Sequence, residues 1–415
     1  MFVWEVGLGL NTYIFHRVDF CIVFTFFYSF SFALSLSLAR SLPFSKALRP
    51  IHIMPCLHLL PFLLPLASAL TISSLNGPAF LSPHRDTTVS NITGIVTAKS
   101  ADGIFLRSPF PDNDKRTSDS IYVFGRSFGS NLTVGDTVVV GGKVVEFRSN
   151  KDYLFLTELT APVLERRVGS GAVVKPWVIG VDTAAPPADK FSGLDEGGVF
   201  GLPNNASLVS VANPELRPQS YGLDFWESLT GELVTVRRPT ALTKPNQFGD
   251  TWVVGGDWKA TGRNGRGGLT MTTNDANPEA IVIGTPLDGT KNPTNTKMGD
   301  EIEEITGVVT YAFGFYRILP TTAIKVVKSR EPSIPGKTML ASSGNCDGLT
   351  FGAYNVENLA PNSTHHGALA KHIVEYMGSP DIIFVQEVQD DNGPTNDGGE
   401  FFFSSRYLSE SLLSN

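Results

Sequence analysis

The stretch that most restricts the fold runs from Leu349 to Glu387, LTFGAYNVENLAPNSTHHGALAKHIVEYMGSPDIIFVQE, and its pattern is strand, helix, strand. Leu349 to Tyr354 is a short, mostly apolar run that stops at Asn355, and Asn355-Val356-Glu357-Asn358 reads as a polar turn. Ser363 or Thr364 is placed to cap a helix with Leu369, Ile373, Tyr376 and Met377 on its apolar side, and Gly378 with Pro380 ends it. Asp381 to Val385 is a second, almost wholly apolar run, as a strand buried on both faces requires. A strand, a crossover helix and a strand close as a right-handed parallel unit. Asn355 and Glu387 then both fall at the carboxyl ends of their strands, the rim where open α/β sheets bind ligands.

An amide and a carboxylate at such a rim suit a hard cation and a phosphate. The Glu387 carboxylate supplies an anionic oxygen to Mg²⁺, and the Asn355 amide either holds a phosphate oxygen or orients the carboxylate. Taken singly, Asn355 reads as a turn former and Glu387 as a solvated strand end; their matched placement across one helix is what raises them to candidates.

YNVENL followed by DIIFVQE resembles the first two motifs of the endonuclease/exonuclease/phosphatase family, the DNase I-like metal-dependent phosphodiesterases. The resemblance implies that Asn355 helps set up the phosphate and metal site and that Glu387 is the metal ligand. It covers about the last sixty residues. The longer upstream part is similar to secreted nucleases of the fungal and bacterial type. The family's remaining motifs are a mid-domain Tyr or Asp/Asn group, an Asp-x-Asn and a terminal Asp-His pair, and Gln389 to Asn415 offers them no place. His365, His366 and His372 come too early for the terminal histidine and are expected on the surface of the crossover helix. One α/β layer of about forty residues cannot bury a core alone. The expectation is therefore the front part of a catalytic domain, residues 349–399, with little or no turnover. The serine-rich tail 400–415 is expected to be aberrant, because Gly399-Glu400-Phe401 can be encoded by an intron-like GTGAGTT. A mature transcript that stops after Asn415 would defeat that hypothesis.

Residues 1–69 form a hydrophobic leader with two apolar runs. Phe20 to Ala39 has twenty residues without a charge, enough to cross a bilayer as an anchor. Met54 to Ala69 ends in Ala67-Ser68-Ala69, the small-x-small pattern of a signal-peptidase site, although it lacks a positive n-region. Secretion after a start at Met54 is the preferred reading, and a membrane-anchored ectodomain is the alternative. Sequons at Asn91, Asn131, Asn205 and Asn362 agree with an extracytoplasmic body. Cys21 and Cys56 lie in the leader, which leaves Cys346 either seeking a partner or serving as a buried thiol.

Between them, Thr88 to Val168 hold five short alternating runs, SNITGIVTAK, GIFLRS, SIYVFG, DTVVVGGKVVEF and DYLFLTEL. Five strands in about eighty residues read as an OB-like β-barrel, 88–168. Residues 169–223, rich in Gly, Pro, Ala and Asn, read as a connector. A second OB-like module is expected at 224–328, because Gly299-Asp300 through Val309 parallels Gly135-Asp136 through Val145 as an internal repeat. Ser329 to Gly348 is the hinge into the last part. The expected fold class is thus mainly β, two OB-like barrels, followed by the start of a DNase I-like α/β sandwich.

OB folds hold single strands by stacking bases on aromatics in a positive groove. Tyr122, Phe124, Phe128 and Tyr153 are candidates in the first module, and Trp252 and Trp258 in the second. Lys259, Arg263 and Arg266 stand on a glycine-rich loop that could track phosphates. Against these, strand aromatics are commonly core and Gly/Arg loops commonly surface turns. A net charge of −7 excludes an overall basic field and with it a DNA-packaging role, but not a metal-dependent nuclease. The expected activity is metal-dependent phosphodiester hydrolysis of DNA or RNA with Mg²⁺ or another divalent cation, and no protein partner is expected. The alternatives are a non-catalytic secreted or tethered binder of nucleic acid or polysaccharide, and a phosphatase of the same family.

Overall fold

The computed structural model describes residues 2–4, 12–15, 70–194, 206–331 and 336–389. They fall into two compact units, Leu59–Pro332 and a second that joins Met1–His58 to Ser333–Asn415. The described residues are mostly β, 34% strand against 10% helix, as the alternating apolar runs require. The two apolar leader runs and the tail from 390 onward lie outside the described residues. Among the described residues no helix is long and apolar enough to cross a membrane.

Two short strands come first in the chain, β1 (Phe2–Trp4) and β2 (Thr12–Phe15), inside what reads as leader. The unit Leu59–Pro332 then opens with α1 (Ile72–Asn76), started by a capping box in which Thr71 and Ser74 each bond the other's backbone N–H. Five strands follow: β3 (Thr88–Lys99), β4 (Gly103–Arg107), β5 (Ser120–Phe124), β6 (Thr137–Phe147) and β7 (Leu156–Gly169). They close into a barrel in the order β3-β4-β5-β7-β6, with β5 and β7 parallel and the other pairs antiparallel. Closure removes every exposed edge and fills the interior with Ile92, Val96, Ile104, Leu106, Val138, Val140 and Leu159.

The connector is more structured than its composition suggests. It contributes β8 (Trp177–Val178), α2 (Ala206–Ala212) and the first residues of α3 (Gly222–Glu227), and it buries Ile179, Val209 and Leu216 in the second core. The apolar positions were too widely spaced among glycines and prolines to show a period.

After α3 come β9 (Leu233–Val236), β10 (Thr240–Ala241), β11 (Thr251–Val254), β12 (Ile281–Ile283), β13 (Glu301–Ile302), β14 (Ile305–Ala312), β15 (Phe315–Pro320) and β16 (Val326–Lys328). With β8 they form a nine-stranded sheet, order β16-β13-β10-β11-β12-β15-β14-β9-β8. Three neighbouring pairs, β9 with β10, β13 with β14 and β15 with β16, are successive pieces of interrupted strands. Counted as single strands, with β11 and β12 between them, they repeat the pairings of the barrel, including one parallel pair, β12 with β15.

The repeat extends to atoms. Gly135 and Gly299 both take positive φ, 90° and 86°. Asp136 Oδ2 accepts the Thr133 N–H at 2.7 Å, and Asp300 Oδ2 accepts the Lys297 N–H at 2.8 Å. The two glycine N–H groups donate to Val96 O and Ala241 O, and Val96 and Ala241 in turn donate to the aspartate carbonyls. Both carboxylates are buried, so each Gly-Asp turn ties the first strand of its module to the fourth.

Barrel and sheet share one compact unit rather than standing apart. Ala98 and Phe105 pack with Leu233 and Val308, and Arg107 Nε donates to Glu232 Oε2 at 2.6 Å. Ser118 Oγ donates to Thr230 O, and the Leu154 N–H donates to Tyr311 Oη.

The other unit contains β17 (Phe351–Leu359), α4 (His366–Glu375) and β18 (Ile382–Val388). β17 and β18 are parallel, as a crossover helix requires, and the sheet order is β1-β2-β18-β17. Val356, Leu359, Ile373, Ile383, Val385 and Val388 make its core, with Leu369 and Met377 packed on it. The expected cap is corrected: His365 occupies the N-cap with no side-chain capping bond, while Ser363 Oγ accepts the Ala360 N–H. The hinge divides between the units, since the Arg330 N–H donates to Asp300 and the Thr338 N–H to Tyr376 O. The described residues of this unit contain one sheet and one α-helix, not a two-layer α/β sandwich.

Candidate metal and phosphate site

The polar tetrad Asn355 to Asn358 is not a turn. β17 continues through it to Leu359, and the pairing jumps from Asn355–Gln386 to Leu359–Val388. A one-strand bulge of this kind re-aims side chains and ends the ladder. Val356 and Leu359 are fully buried and pin the bulge to the core, which turns Glu357 and Asn358 outward. Glu357, Asn358 and, across from them, Glu387 all take positive φ, 54°, 57° and 61°. Three non-glycine residues in the left-handed region at one rim is backbone strain, and such strain concentrates at functional sites.

The bulge makes the pair meet. Asn355 Nδ2 donates to Glu387 Oε1 at 2.7 Å, and the Asn358 N–H donates to Oε2 at 3.2 Å. Asn355 Oδ1 accepts the Glu357 N–H at 2.9 Å, and Gln389 Nε2 donates to Asn358 Oδ1 at 3.0 Å. Each oxygen of the exposed carboxylate therefore holds one donor and turns its remaining lone pairs to solvent.

That chemistry bears on a metal. Mg²⁺ keeps several waters and takes one or two carboxylates beside substrate phosphates. Glu387 fits as one such carboxylate, held in a fixed rotamer. Asn355 Oδ1 keeps a lone pair beyond the Glu357 N–H but is a neutral oxygen, and its Nδ2 orients the Glu387 carboxylate. Among the described residues no group of three or more His, Cys, Asp or Glu is arranged to hold a metal ion.

The histidines divide. His372 is exposed, and its Nδ1 lies 2.7 Å from Tyr354 Oη. His365 is half-buried, with Nε2 3.4 Å from Val356 O inside the bulge, so it is not the plain surface residue that helix position suggests. Glu357, Asn358 and Gln389 also belong to the rim and carried no sequence signal beyond adjacency to the motifs.

In the unit Leu59–Pro332, Lys259, Arg263 and Arg266 are exposed on the segment between β11 and β12. Asn264 Oδ1 accepts the N–H groups of Arg266 and Gly268 and shapes the turn, and Arg330 Nη2 donates to Gly265 O. Most of the candidate aromatics serve the cores: Trp258 is buried, Phe128 and Tyr153 pack on apolar clusters, and Tyr122 lies 4.7 Å from Phe105. Phe124 is exposed, and Trp252 is half-buried against Phe315. Cys346 is exposed, which corrects the buried-thiol alternative. Asn91, Asn131 and Asn362 are exposed, whereas Asn205 lies outside the described residues.

Where barrel and sheet meet, a cavity of about 200 Å³ is lined by Asp119, Trp177, Asp182, Gln219 and Glu232 among others. Burial, then the charges of Glu232 and Asp112, push the Asp119 carboxyl up to about 6. Nothing local in the sequence marked it, because its walls come from segments far apart in the chain.

Residues 178–331 match a family model described as a domain of unknown function (DUF8508), which takes in the sheet from the end of β8 past β16. No curated protein and no solved structure matches the chain.

Proposed function

We propose that Asn355 and Glu387 are part of the metal and phosphate site of a divalent-cation-dependent phosphodiester hydrolase, resembling the endonuclease/exonuclease/phosphatase family and acting on nucleic acid. The observation that carries this reading is the 2.7 Å bond between the two side chains at the carboxyl rim of two parallel strands. Strain at Glu357, Asn358 and Glu387 supports it, since an idle strand end has no reason to keep three left-handed residues. A bound Mg²⁺ would polarise the scissile phosphate and stabilise the leaving oxygen. The role of this chain's residues is positional: Asn355 and the Asn358 N–H fix the Glu387 carboxylate, leaving its free lone pairs toward solvent.

The finer fold reading belongs here too. We read the barrel and the sheet as OB-like modules, and the recurring order of pairings, with β12 parallel to β15 as β5 is to β7, supports that. The extracytoplasmic location, with secretion as the preferred route, rests on the leader pattern and the sequons.

Two measurements on the same samples test the function. Calorimetric titration with Mn²⁺ is expected to show a site in the wild type that is lost in Glu387→Ala. Any Mg²⁺-dependent cleavage of plasmid DNA is expected to vanish in that variant. Identical titrations, or cleavage that survives Glu387→Ala, would overturn the proposal.

A further inference from the structure

Two turns stand side by side where barrel and sheet meet. The residues between β6 and β7, 148–155, carry Arg148, Lys151, Tyr153 and Phe155. The tight turn between β14 and β15 carries Phe313 and Gly314, and a Cβ placed on Gly314 would lie 3.0 Å from the Tyr153 ring. Around the second turn, rings gather on one face of the sheet. Trp252 pairs with Val282 and Val282 with Arg317, so the three lie in one row, and Phe315 shares the face of Arg317 two residues on.

Three phenylalanine rings are open to solvent, and Trp252 is half-buried beside Phe315. Phe313 is 67% exposed, Phe315 49% and Phe248, on the β10–β11 loop, 74%. Phe315 meets Trp252 edge to face at 5.3 Å. Two guanidiniums lie against rings of this surface. Arg317 lies 5.2 Å from the Phe313 ring centroid, and Arg148 lies 4.3 Å from that of Phe155. The Arg317 side chain is more than nine-tenths buried; it donates to Asp250 at 3.4 Å and its Nε has no partner. Arg148 donates to the carbonyls of Lys151 and Tyr153 and has no acidic partner among the described residues. Lys151 faces Asp152.

We propose that this composite surface holds a single-stranded nucleic acid, with bases stacked on Phe313, Phe315 and Trp252 and the backbone drawn to Arg148. Bases present a π-face whatever their sequence, and planar guanidiniums beside aromatic rings favour a flat-faced anionic polymer. A sugar chain would use the rings as well, but it is held by carboxylates and amides that accept from and donate to hydroxyls. Here the donor without an acidic partner among the described residues is the Arg148 guanidinium. The surface lies within one compact unit and uses neither Asn355 nor Glu387. It deepens the nucleic-acid reading above while depending on different residues.

Fluorescence anisotropy of a labelled oligothymidylate of about 15 nucleotides, in EDTA, tests it. The expected result is salt-sensitive binding by the full chain, weakened about tenfold by Phe313→Ala and by Phe315→Ala. Arg148→Gln is expected to lower the slope of log affinity against log salt by about 0.7. The EDTA assay reads this surface without metal, and the Mn²⁺ titration reads the metal site, so a failed metal site and a failed stacking surface give different results. Absence of binding overturns the proposal, as does binding that all three surface variants leave unchanged. Binding of a neutral oligosaccharide in place of the oligothymidylate overturns it too.

Discussion

Asn355 and Glu387, thirty-two residues apart in the chain, are joined by a 2.7 Å hydrogen bond from amide to carboxylate at the rim of two parallel strands. The amide's oxygen is held in turn by the Glu357 N–H, so Asn355 is locked from both ends and Glu387 is locked through it.

Asn355→Ala therefore leaves the carboxylate present but loose. Removal of such an orienting partner costs about 10- to 100-fold in metal affinity. The expected outcome is weaker Mn²⁺ binding by that factor, with the calorimetric stoichiometry unchanged, whereas Glu387→Ala removes the site.

A second prediction concerns pH. Glu227 is buried in α3 and accepts the Tyr316 hydroxyl at 2.6 Å. Burial pushes its carboxyl from the ordinary 4.5 up to about 8, and the Tyr316 bond opposes that only in part. The folded state thus keeps a proton that the unfolded chain gives up. Stability is full below the unfolded carboxyl range and falls as pH rises from about 4.5 towards 8. Glu158 and Glu279, each pushed up to about 7 chiefly by burial, add in the same direction. Urea unfolding at pH 5 and pH 9 should differ by on the order of a few kcal/mol. Glu227→Gln, which keeps an acceptor for Tyr316, should flatten part of that slope; an unchanged slope would contradict the assignment.

A third prediction tests the duplication. Gly135 and Gly299 hold the same positive-φ place in the two Gly-Asp turns. A Cβ at Gly135 would meet Ala172 O at 2.8 Å, and one at Gly299 would meet Arg330 Cδ at 2.4 Å. Alanine at either position should cost about 1–2 kcal/mol from the left-handed backbone alone. Denaturant midpoints that move for one and not the other would argue that the turns are not equivalent.

Much of this was legible in the residues themselves. The five barrel strands announce themselves by alternation, and the parallel β17–β18 pair by two apolar runs around one amphipathic helix. The Gly-Asp repeat was visible because both turns need glycine for its φ and aspartate for its acceptor. Other features have no local signal. The left-handed φ of Glu357 and Asn358 is imposed by Val356 and Leu359 packing inward, so a bulge reads as a turn. β10 and β13 are two residues each, shorter than any period can mark. The Arg107–Glu232 bond and the Tyr316–Glu227 bond unite segments far apart in the chain, which composition cannot foresee.

The central claim is that a divalent cation sits against Glu387 beside Asn355. Paramagnetic line broadening reads this directly, with the Asn355 side-chain amide resonances followed while Mn²⁺ is added in substoichiometric steps. The account predicts that those resonances and the Asn358 backbone amide broaden first, and that Glu387→Gln abolishes the effect. Resonances at Asn355 and Asn358 that stay sharp while others broaden would contradict it.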